Sequence, residues 1–369
     1  MSSHSPIIIP EINEISDICD YREQTVRILN QKKIPTYTHF LNIFSQNFDN
    51  TSYSASTKFL PFNRFPFIQQ INKYLSLFCL YIKVTIKHRS VPVLWIYYPS
   101  LVGIIKYLPF PKKIVYDIVD FYSSPDPEIN NTLRQQKKYL LQKSQLITAI
   151  SQSLIESYKK IFPSAPIYLV PQGYNLIKNK KKLSAKILNI SKTHPKIGYI
   201  GAINNRLDFK LLLNLISDTP RYSYIFVGPV SKDNNVQSKP LIALTTKLFT
   251  LPNAFHIDKV EKTKISSWIE FFDICIIPYD TKDEFNRLCY PMKLFEYFAC
   301  GKPVLSTSIT ELKRFPNLVY IGNSAGSWKK HLKKLISQPW PKDKQAKANN
   351  LAQKNSWGNK VDEVLKLMS

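Results

Sequence analysis

The chain is short of acid, of paired cysteine, of glycine in its first half and of long apolar stretches, and each shortage removes a class of protein. Its 369 residues hold 26 Asp and Glu against 51 Lys and Arg, a formal net charge of +25 at pH 7. No Asp-x-Asp sequence occurs, so a carboxylate-held Mg²⁺ on a diphosphate is not expected, and no metal site or cofactor is assigned. Five cysteines, Cys19, Cys79, Cys275, Cys289 and Cys300, are scattered without a Cys-x-x-Cys pair. That odd, dispersed count argues against a disulfide framework and suits a reducing cytoplasm. The longest apolar stretch, Tyr74 to Ile86, is cut by Lys83 and falls short of the roughly 18 to 20 residues a spanning helix needs. The amino terminus, MSSHSPIIIPEINE, has no basic segment, too short an apolar run for a signal peptide, and acidic residues close behind, so export is not expected.

What is present is an alternation of apolar strands and amphipathic helices, occurring twice, in a chain long enough for two domains and 44% hydrophobic. In the first half the pattern predicts strands at Ile7 to Ile9, Thr36 to Phe40, Val93 to Tyr97, Ile114 to Val119, Leu146 to Ala149 and Ile167 to Val170. Helices are expected at Tyr21 to Gln31, Phe67 to Lys87, Glu128 to Lys143 and Ser153 to Ile161. The second half restarts with KIGYIGAI at Lys196, then a helix at Phe209 to Ser217 and strands at Tyr224 to Val227, Phe255 to Ile257, Ile274 to Pro278, Val304 to Thr307 and Leu318 to Ile321. Such alternation argues an α/β fold with parallel sheets: two Rossmann-like domains facing each other across a cleft. The expected boundaries are residues 1–177 for a first Rossmann-like domain, 178–195 for a lysine-rich linker, 196–345 for a second Rossmann-like domain, and 346–369 for a terminal helix returning towards the first domain. Of nine glycines only Gly103 and Gly173 precede Gly198. Gly201 and Gly228 stand at strand ends, where a backbone must turn sharply or approach a ligand, although either also fits a plain turn.

The segment Asp273 to Ser306, DICIIPYDTKDEFNRLCYPMKLFEYFACGKPVLS, is the richest. A strand, a polar loop, a short helix opened by Pro291 and closed by Gly301, and a second strand follow in order. Lys293 is the odd residue, because a cation in a first helical turn opposes the helix dipole unless an anion lies between them. Glu296 follows at i+3 and is placed to pair with Lys293 or to accept sugar hydroxyls. An ordinary surface ion pair is the plainer alternative. The positive charge itself is spread widely, with clusters at Lys112 and Lys113, Lys137 and Lys138, Lys178 to Lys186, and Lys329, Lys330, Lys333 and Lys334. Three partners fit: an anionic membrane surface, nucleic acid, or simply water around a lysine-rich surface. No zinc-finger, RNP or basic-zipper signature supports nucleic acid, which is therefore not expected as a partner.

Five segments, GYIGAINNRLD, YIFVGPV, FFDICIIPY, YPMKLFEYFACGKPVLST and AQKNSWGNKVDEVLKL, together resemble the C-terminal half of the group 1 glycosyltransferases of the GT-B fold. The resemblance spans Lys196 to Met368. VYDIVDFYS, LITAISQSL and YLVPQGYN resemble later strands of that family's N-domain, while the first 110 residues are not diagnostic. The family transfers a sugar from a nucleotide diphosphate sugar, held mainly by the C-domain, to an acceptor held mainly by the N-domain. The resemblance implies that Lys293, with the amide of Met292, holds the pyrophosphate, with Arg206 as second cation. It further implies Glu296 at the ribose or donor sugar, Tyr279 near the base, and close nucleotide approach at Gly201 and Gly228. Many members carry two glutamates with seven residues between them; here Leu288 replaces the first, and Tyr290-Pro291 replaces a flexible Gly-Phe turn. In this the chain is similar to the subset working on membrane-linked or polysaccharide acceptors.

An inverting displacement requires a carboxylate to take the acceptor hydroxyl proton. Asp120, which ends IVYDIV and opens the loop FYSSPDPE, is the candidate base, with loop capping or a lysine pair as its plainer role. Asp117 lies inside the strand, Asp20 is a distant second choice, and His39 and His256 fit structural roles better. The expected function is a metal-independent glycosyltransferase with a UDP-sugar or GDP-sugar donor and a lipid-linked or glycan acceptor at the cytoplasmic membrane face. The alternatives are another enzyme of the fold, such as a sugar-nucleotide epimerase, or a non-catalytic basic scaffold. Membrane contact is expected from Phe65 to Arg89, where Phe67, Ile71, Leu75, Phe78 and Ile82 recur at helical spacing among Lys73, Lys83, Lys87 and Arg89. A buried core helix is the competing reading of that segment. No oligomeric state is assigned.

Overall fold

The structure, a computed structural model, describes residues 5–10, 21–39, 65–109, 113–124, 126–175, 195–230 and 238–369. It divides into two compact units: Met1–Gln172 with Trp357–Ser369, and Gly173–Ser356. The linker expected at 178–195 lies almost wholly outside the described residues, as do Asp20, Lys112 and the lysines from Lys178 to Lys186.

In the first unit β1 (Ile7–Pro10), β2 (Thr36–His39), β3 (Val93–Ile96), β4 (Lys113–Ile118), β5 (Leu146–Ala149) and β6 (Ile167–Leu169) form one sheet ordered β2-β1-β3-β4-β5-β6. Every pairing is parallel, with Ile7 opposite both Thr36 and Val93. A parallel sheet covered on both faces needs apolar residues on both faces, and the strands supply them. Ile7, Ile8, Ile9, Leu94, Trp95 and Ile96 are all at most 1% exposed. The helices between the strands start where the sequence offers caps. Asp126 accepts from the amides of Glu128 and Ile129 at the head of Pro127–Lys143, and Ser151 accepts from Leu154 at the head of Gln152–Lys159.

The long helix Pro66–His88 ends on Arg89 in the left-handed region, φ 49°. Its core face is Leu77, Leu80, Tyr81 and Val84, all buried. The stripe singled out in the sequence lies on another face: Ile71, Leu75, Phe78 and Ile82 are half-buried, Phe67 is 75% exposed, and Ile86, further along the same stripe, is 71% exposed.

The second unit is also built on six strands, β7 (Lys196–Ile200), β8 (Ser223–Val227), β9 (Ala254–Ile257), β10 (Ile274–Ile277), β11 (Val304–Ser306) and β12 (Val319–Ile321), in a different order. The sheet order is β12-β11-β10-β7-β8-β9, again parallel throughout. The order reverses between β7 and β10, the place where open α/β sheets leave a crevice beyond their carboxyl ends. Helices Ser238–Phe249 and Ile265–Phe271 complete crossovers for which the sequence suggests no helix, and the short Glu284–Leu288 adds a second helix to the crossover from β10 to β11.

Two expectations are corrected. The stretch 346–369 is two helices, Lys342–Lys354 and Trp357–Met368, interrupted at Asn355 and Ser356; the first lies in the second unit and the second in the first. The helix of the Asp273 to Ser306 segment runs Lys293–Ala299, so Pro291 precedes it and Met292 is its N-cap. Pro291 still contributes, since its carbonyl accepts the amide of Leu294 at 3.1 Å.

The terminal helix Trp357–Met368 is fixed to the first sheet by a buried ion pair. Lys360 Nζ stands 3.1 Å from Asp117 Oδ1, with side chains 1% and 0% exposed, and Thr148 donates to the same oxygen at 3.0 Å. The Asp117 carboxylate thus serves the core of the first unit.

Candidate active site

Seven of the eight site residues named from the sequence lie at the carboxyl ends of β7, β8 and β10 and at the N-cap and in the first turn of the Lys293–Ala299 helix; the eighth, Asp120, is in the first unit. Gly201 and Gly228 follow β7 and β8 directly, with φ of 135° and 145°, values that L side chains rarely adopt. A Cβ on Gly228 would sit 2.3 Å from the Gly201 carbonyl oxygen, and one on Gly201 would sit 2.7 Å from Lys293 Nζ. Gly228 is therefore required both by its φ and by the approach of the Gly201 backbone, while Gly201 is required by its φ and lies next to the far end of the flexible Lys293 side chain.

Lys293 is half-buried and donates to the Tyr279 phenol oxygen at 2.8 Å. Its ammonium lies 5.0 Å from the centre of the Tyr199 ring and 5.3 Å from that of Tyr279. Burial alone would pull the ammonium's pKa down, but the phenols of Tyr199 and Tyr279 outweigh it and leave it raised, so Lys293 is a cation at neutral pH. Arg206 approaches the same tyrosine, its guanidinium 4.4 Å from the Tyr279 ring centre and 4.9 Å from that of Phe285. Arg206 Nε donates to Asn286 Oδ1 at 2.8 Å. The Asn286 amide in turn donates to the carbonyls of Arg206 at 3.3 Å and Asp280 at 3.1 Å. This brace, with the Leu207–Tyr279 bridge and the Asp280 amide on the Arg206 carbonyl at 2.8 Å, ties the loop after β7 to the loop after β10. Arg206 is therefore held in place and not a loosely solvated loop arginine.

Tyr279 is 4% exposed and sits under the Arg206 guanidinium, which makes it part of the cationic cluster and not a surface rim. Met292 is half-buried, and its carbonyl accepts the amides of Phe295 at 3.0 Å and Glu296 at 3.3 Å. Glu296 does not hold Lys293, which turns to Tyr279 instead. Burial raises the Glu296 pKa, and the Lys293 charge opposes that rise without cancelling it. Sequence reading missed Tyr199 and Asn286. Tyr199 was signalled by its place in GYIGAI, two positions before Gly201; Asn286, in the polar stretch DTKDEFNR, gave no signal.

Asp120 stands in the first unit, half-buried in a bend just past β4. Its backbone carbonyl accepts from the Tyr158 hydroxyl at 3.4 Å. Burial, and after it the Asp120 charge, pushes the neighbouring Tyr122 phenol well up. His256 is structural: its ring stacks on Phe249 at 4.8 Å and its Nε2 meets the Gly228 carbonyl at 2.9 Å. The side chain of His39 lies outside the described residues. Among the described residues no group of three or more His, Cys, Asp or Glu is arranged to hold a metal ion, and no helix is long and apolar enough to cross a membrane.

Two parallel six-stranded sheets in separate units, with cations and close-approach glycines at the carboxyl edge of the second, define the GT-B class of α/β proteins. The comparison with solved structures bears this out. Sucrose-phosphate synthase from Thermosynechococcus elongatus superposes with a TM-score of 0.75 at 13% identity, covering 99% of this chain and 98% of that one. The Anabaena protein Alr3699/HepE, solved in complex with UDP and glucose, gives 0.69 at 12% identity, with 99% of both chains covered. In sequence the chain is similar to TuaH of Bacillus subtilis (strain 168), which carries the provisional name of a teichuronic acid biosynthesis glycosyltransferase. The two are 25% identical over 209 residues, 53% of this chain and 51% of that protein, so the chain spans about half the length of the curated relative it matches. No family model matches the chain. The chain has the GT-B fold, and the resemblance to the glycosyltransferases that adopt it is borne out by these relatives.

Proposed function

We propose that the chain is a glycosyltransferase that takes its sugar from a nucleotide diphosphate sugar, with UDP favoured over GDP. The observation that carries this reading is the placement of Lys293 and Arg206 over one tyrosine ring, beside Gly201, at the strand-order reversal of the second sheet. Two like charges so close repel, and the Arg206 charge indeed works against that of Lys293. A dianionic diphosphate between them removes the repulsion and gains charge-assisted hydrogen bonds. UDP is favoured because the structural relative Alr3699/HepE is solved with UDP, and a glycan acceptor because TuaH is named for polysaccharide synthesis.

In this account the acceptor hydroxyl oxygen attacks the anomeric carbon as the bond from that carbon to the diphosphate breaks. The charge left on the diphosphate falls on Lys293 and Arg206, and the hydroxyl proton passes to the Asp120 carboxylate. The side-chain cations take the part that a metal plays in many diphosphate sites. Leu288, in place of the first glutamate of the paired motif, removes one carboxylate from the donor side and favours a single displacement.

A lipid-linked acceptor at an anionic membrane face is favoured by Phe67, Ile86 and Tyr107, exposed by 75%, 71% and 62%, beside exposed Lys83, Lys87, Arg89 and Lys106. Calorimetry with UDP, GDP and ADP and their glucose conjugates tests the donor reading. Binding of UDP and UDP-sugar, tighter than ADP, is expected. Binding of none of them would return the chain to a non-catalytic basic scaffold.

A further inference from the structure

The sequence groups Lys137 with Lys138 as surface charge, and the structure separates them. Lys138 is exposed, whereas Lys137 is 4% exposed and shares the buried face of the Pro127–Lys143 helix with Leu140 and Leu141. A buried ammonium needs compensation, and here aromatic rings and a carbonyl supply it. Lys137 Nζ lies 4.8 Å from the Phe121 ring centre and 5.1 Å from that of Tyr158, and it donates to the backbone carbonyl of Tyr122.

Tyr158 acts on the same loop from the other side. Its hydroxyl accepts from Tyr116 at 3.2 Å and donates to the Asp120 carbonyl at 3.4 Å. The carbonyls on either side of Phe121 are thus both tied to buried groups, and the Phe121 ring covers one of those groups. Leu140 and Leu141 already supply apolar side chains to the buried face of this helix. What lysine adds is an N–H donor and a charge at the bend.

We propose that Lys137 is the positioning residue of the loop after β4, holding through Tyr122 the backbone from which Asp120 reaches the acceptor. This rests on the reading of Asp120 as the base, and the test separates the two.

Lys137→Met keeps a linear side chain between the rings but removes both donor and charge; Lys137→Gln keeps an N–H and loses the charge. Amide hydrogen exchange across residues 119–124 of the full chain needs no reaction. At least tenfold faster exchange in the methionine variant, with a smaller rise for glutamine, is expected; exchange equal to wild type in both would overturn the proposal. The second readout is UDP release from the UDP-sugar that wild type turns over fastest. A fall in kcat of roughly 10- to 100-fold with donor KM within twofold is expected of a displaced base. Unchanged kcat over a loosened loop would also overturn the proposal. If Asp120→Asn turns over normally, the base reading falls, while the exchange result still decides whether Lys137 holds the loop. Should the methionine variant fail to fold, the glutamine variant is held to a tenfold rise in exchange and the same fall in kcat, and wild-type values in it would overturn the proposal.

Discussion

The two units are close to equal in length and each carries a six-stranded parallel sheet, yet their surfaces differ. The unit Gly173–Ser356 has 30 Lys and Arg against 13 Asp and Glu, a net of +17, while the other has 21 against 13, a net of +8. Large exposed apolar residues run the opposite way. Phe65, Phe67, Ile86, Tyr107, Ile129, Tyr168 and Leu169 are in the first unit and only Ile242 is in the second, among the described residues. A unit that meets nucleotide diphosphates gains from surplus cation, which draws anions from solution. A unit that meets an amphiphilic acceptor gains from apolar side chains at its rim. The two units thus present different surfaces, in keeping with separate donor and acceptor duties.

The comparison breaks first, and most severely, at the Asp117–Lys360 pair of the first unit. Lys360→Met leaves a buried carboxylate unpaired and is expected to cost about 3 to 5 kcal/mol in denaturant unfolding. Adding Asp117→Leu should recover more than half of that loss. If the single variant is as stable as wild type, the terminal helix is held by packing alone. Next in size is Asp120→Asn, expected to keep donor affinity and to lose about 10²-fold or more in turnover, since proton removal fails in an intact pocket. Near-normal transfer would leave Asp120 a loop residue.

Sedimentation with vesicles sharpens the contrast between the surfaces. Phe67→Ser with Ile86→Ser should weaken binding to anionic vesicles roughly fivefold, from about 1 kcal/mol of lost apolar contact shared over two partly inserted side chains. Rising salt should weaken wild type and variant in parallel, because the charge is left unchanged. Equal binding by both proteins would remove the exposed stripe from the acceptor account.

The smallest effect is a pH dependence. Burial raises the Glu296 pKa above its ordinary 4.5, so the folded chain keeps a proton that the unfolded chain has released. Stability from this group is fully present below pH 4.5 and is lost as pH rises through the raised value. Glu296→Gln should therefore flatten the fall in denaturant midpoint above pH 4.5. Parallel curves for the two proteins would contradict it.

All twelve strands were legible in the sequence to within three residues at either end, because runs such as IVYDI and ICII must be buried on both faces. The position of Lys293 in a first helical turn was legible too. What could not be read were partnerships between distant residues. Asp117 and Lys360 are 243 positions apart, and nothing near either names the other. Lys137 looked like surface charge because its compensation comes from Phe121, Tyr122 and Tyr158, outside its own helix. The Phe67 stripe showed the right period but not which side faced the core, for the helix Pro66–His88 carries apolar residues on more than one face. Asn286 braces Arg206 across 80 positions, a contact that only the meeting of the loop after β7 with the Glu284–Leu288 helix creates.

The central claim is that Lys293 is the cation of a diphosphate site built on the second sheet. Titration of UDP into wild type and Lys293→Ala tests it most directly. The account predicts affinity lower by about 1.5 to 3 kcal/mol, roughly 10- to 150-fold, in a variant that unfolds at the wild-type midpoint. Equal UDP affinity in the two proteins would contradict it.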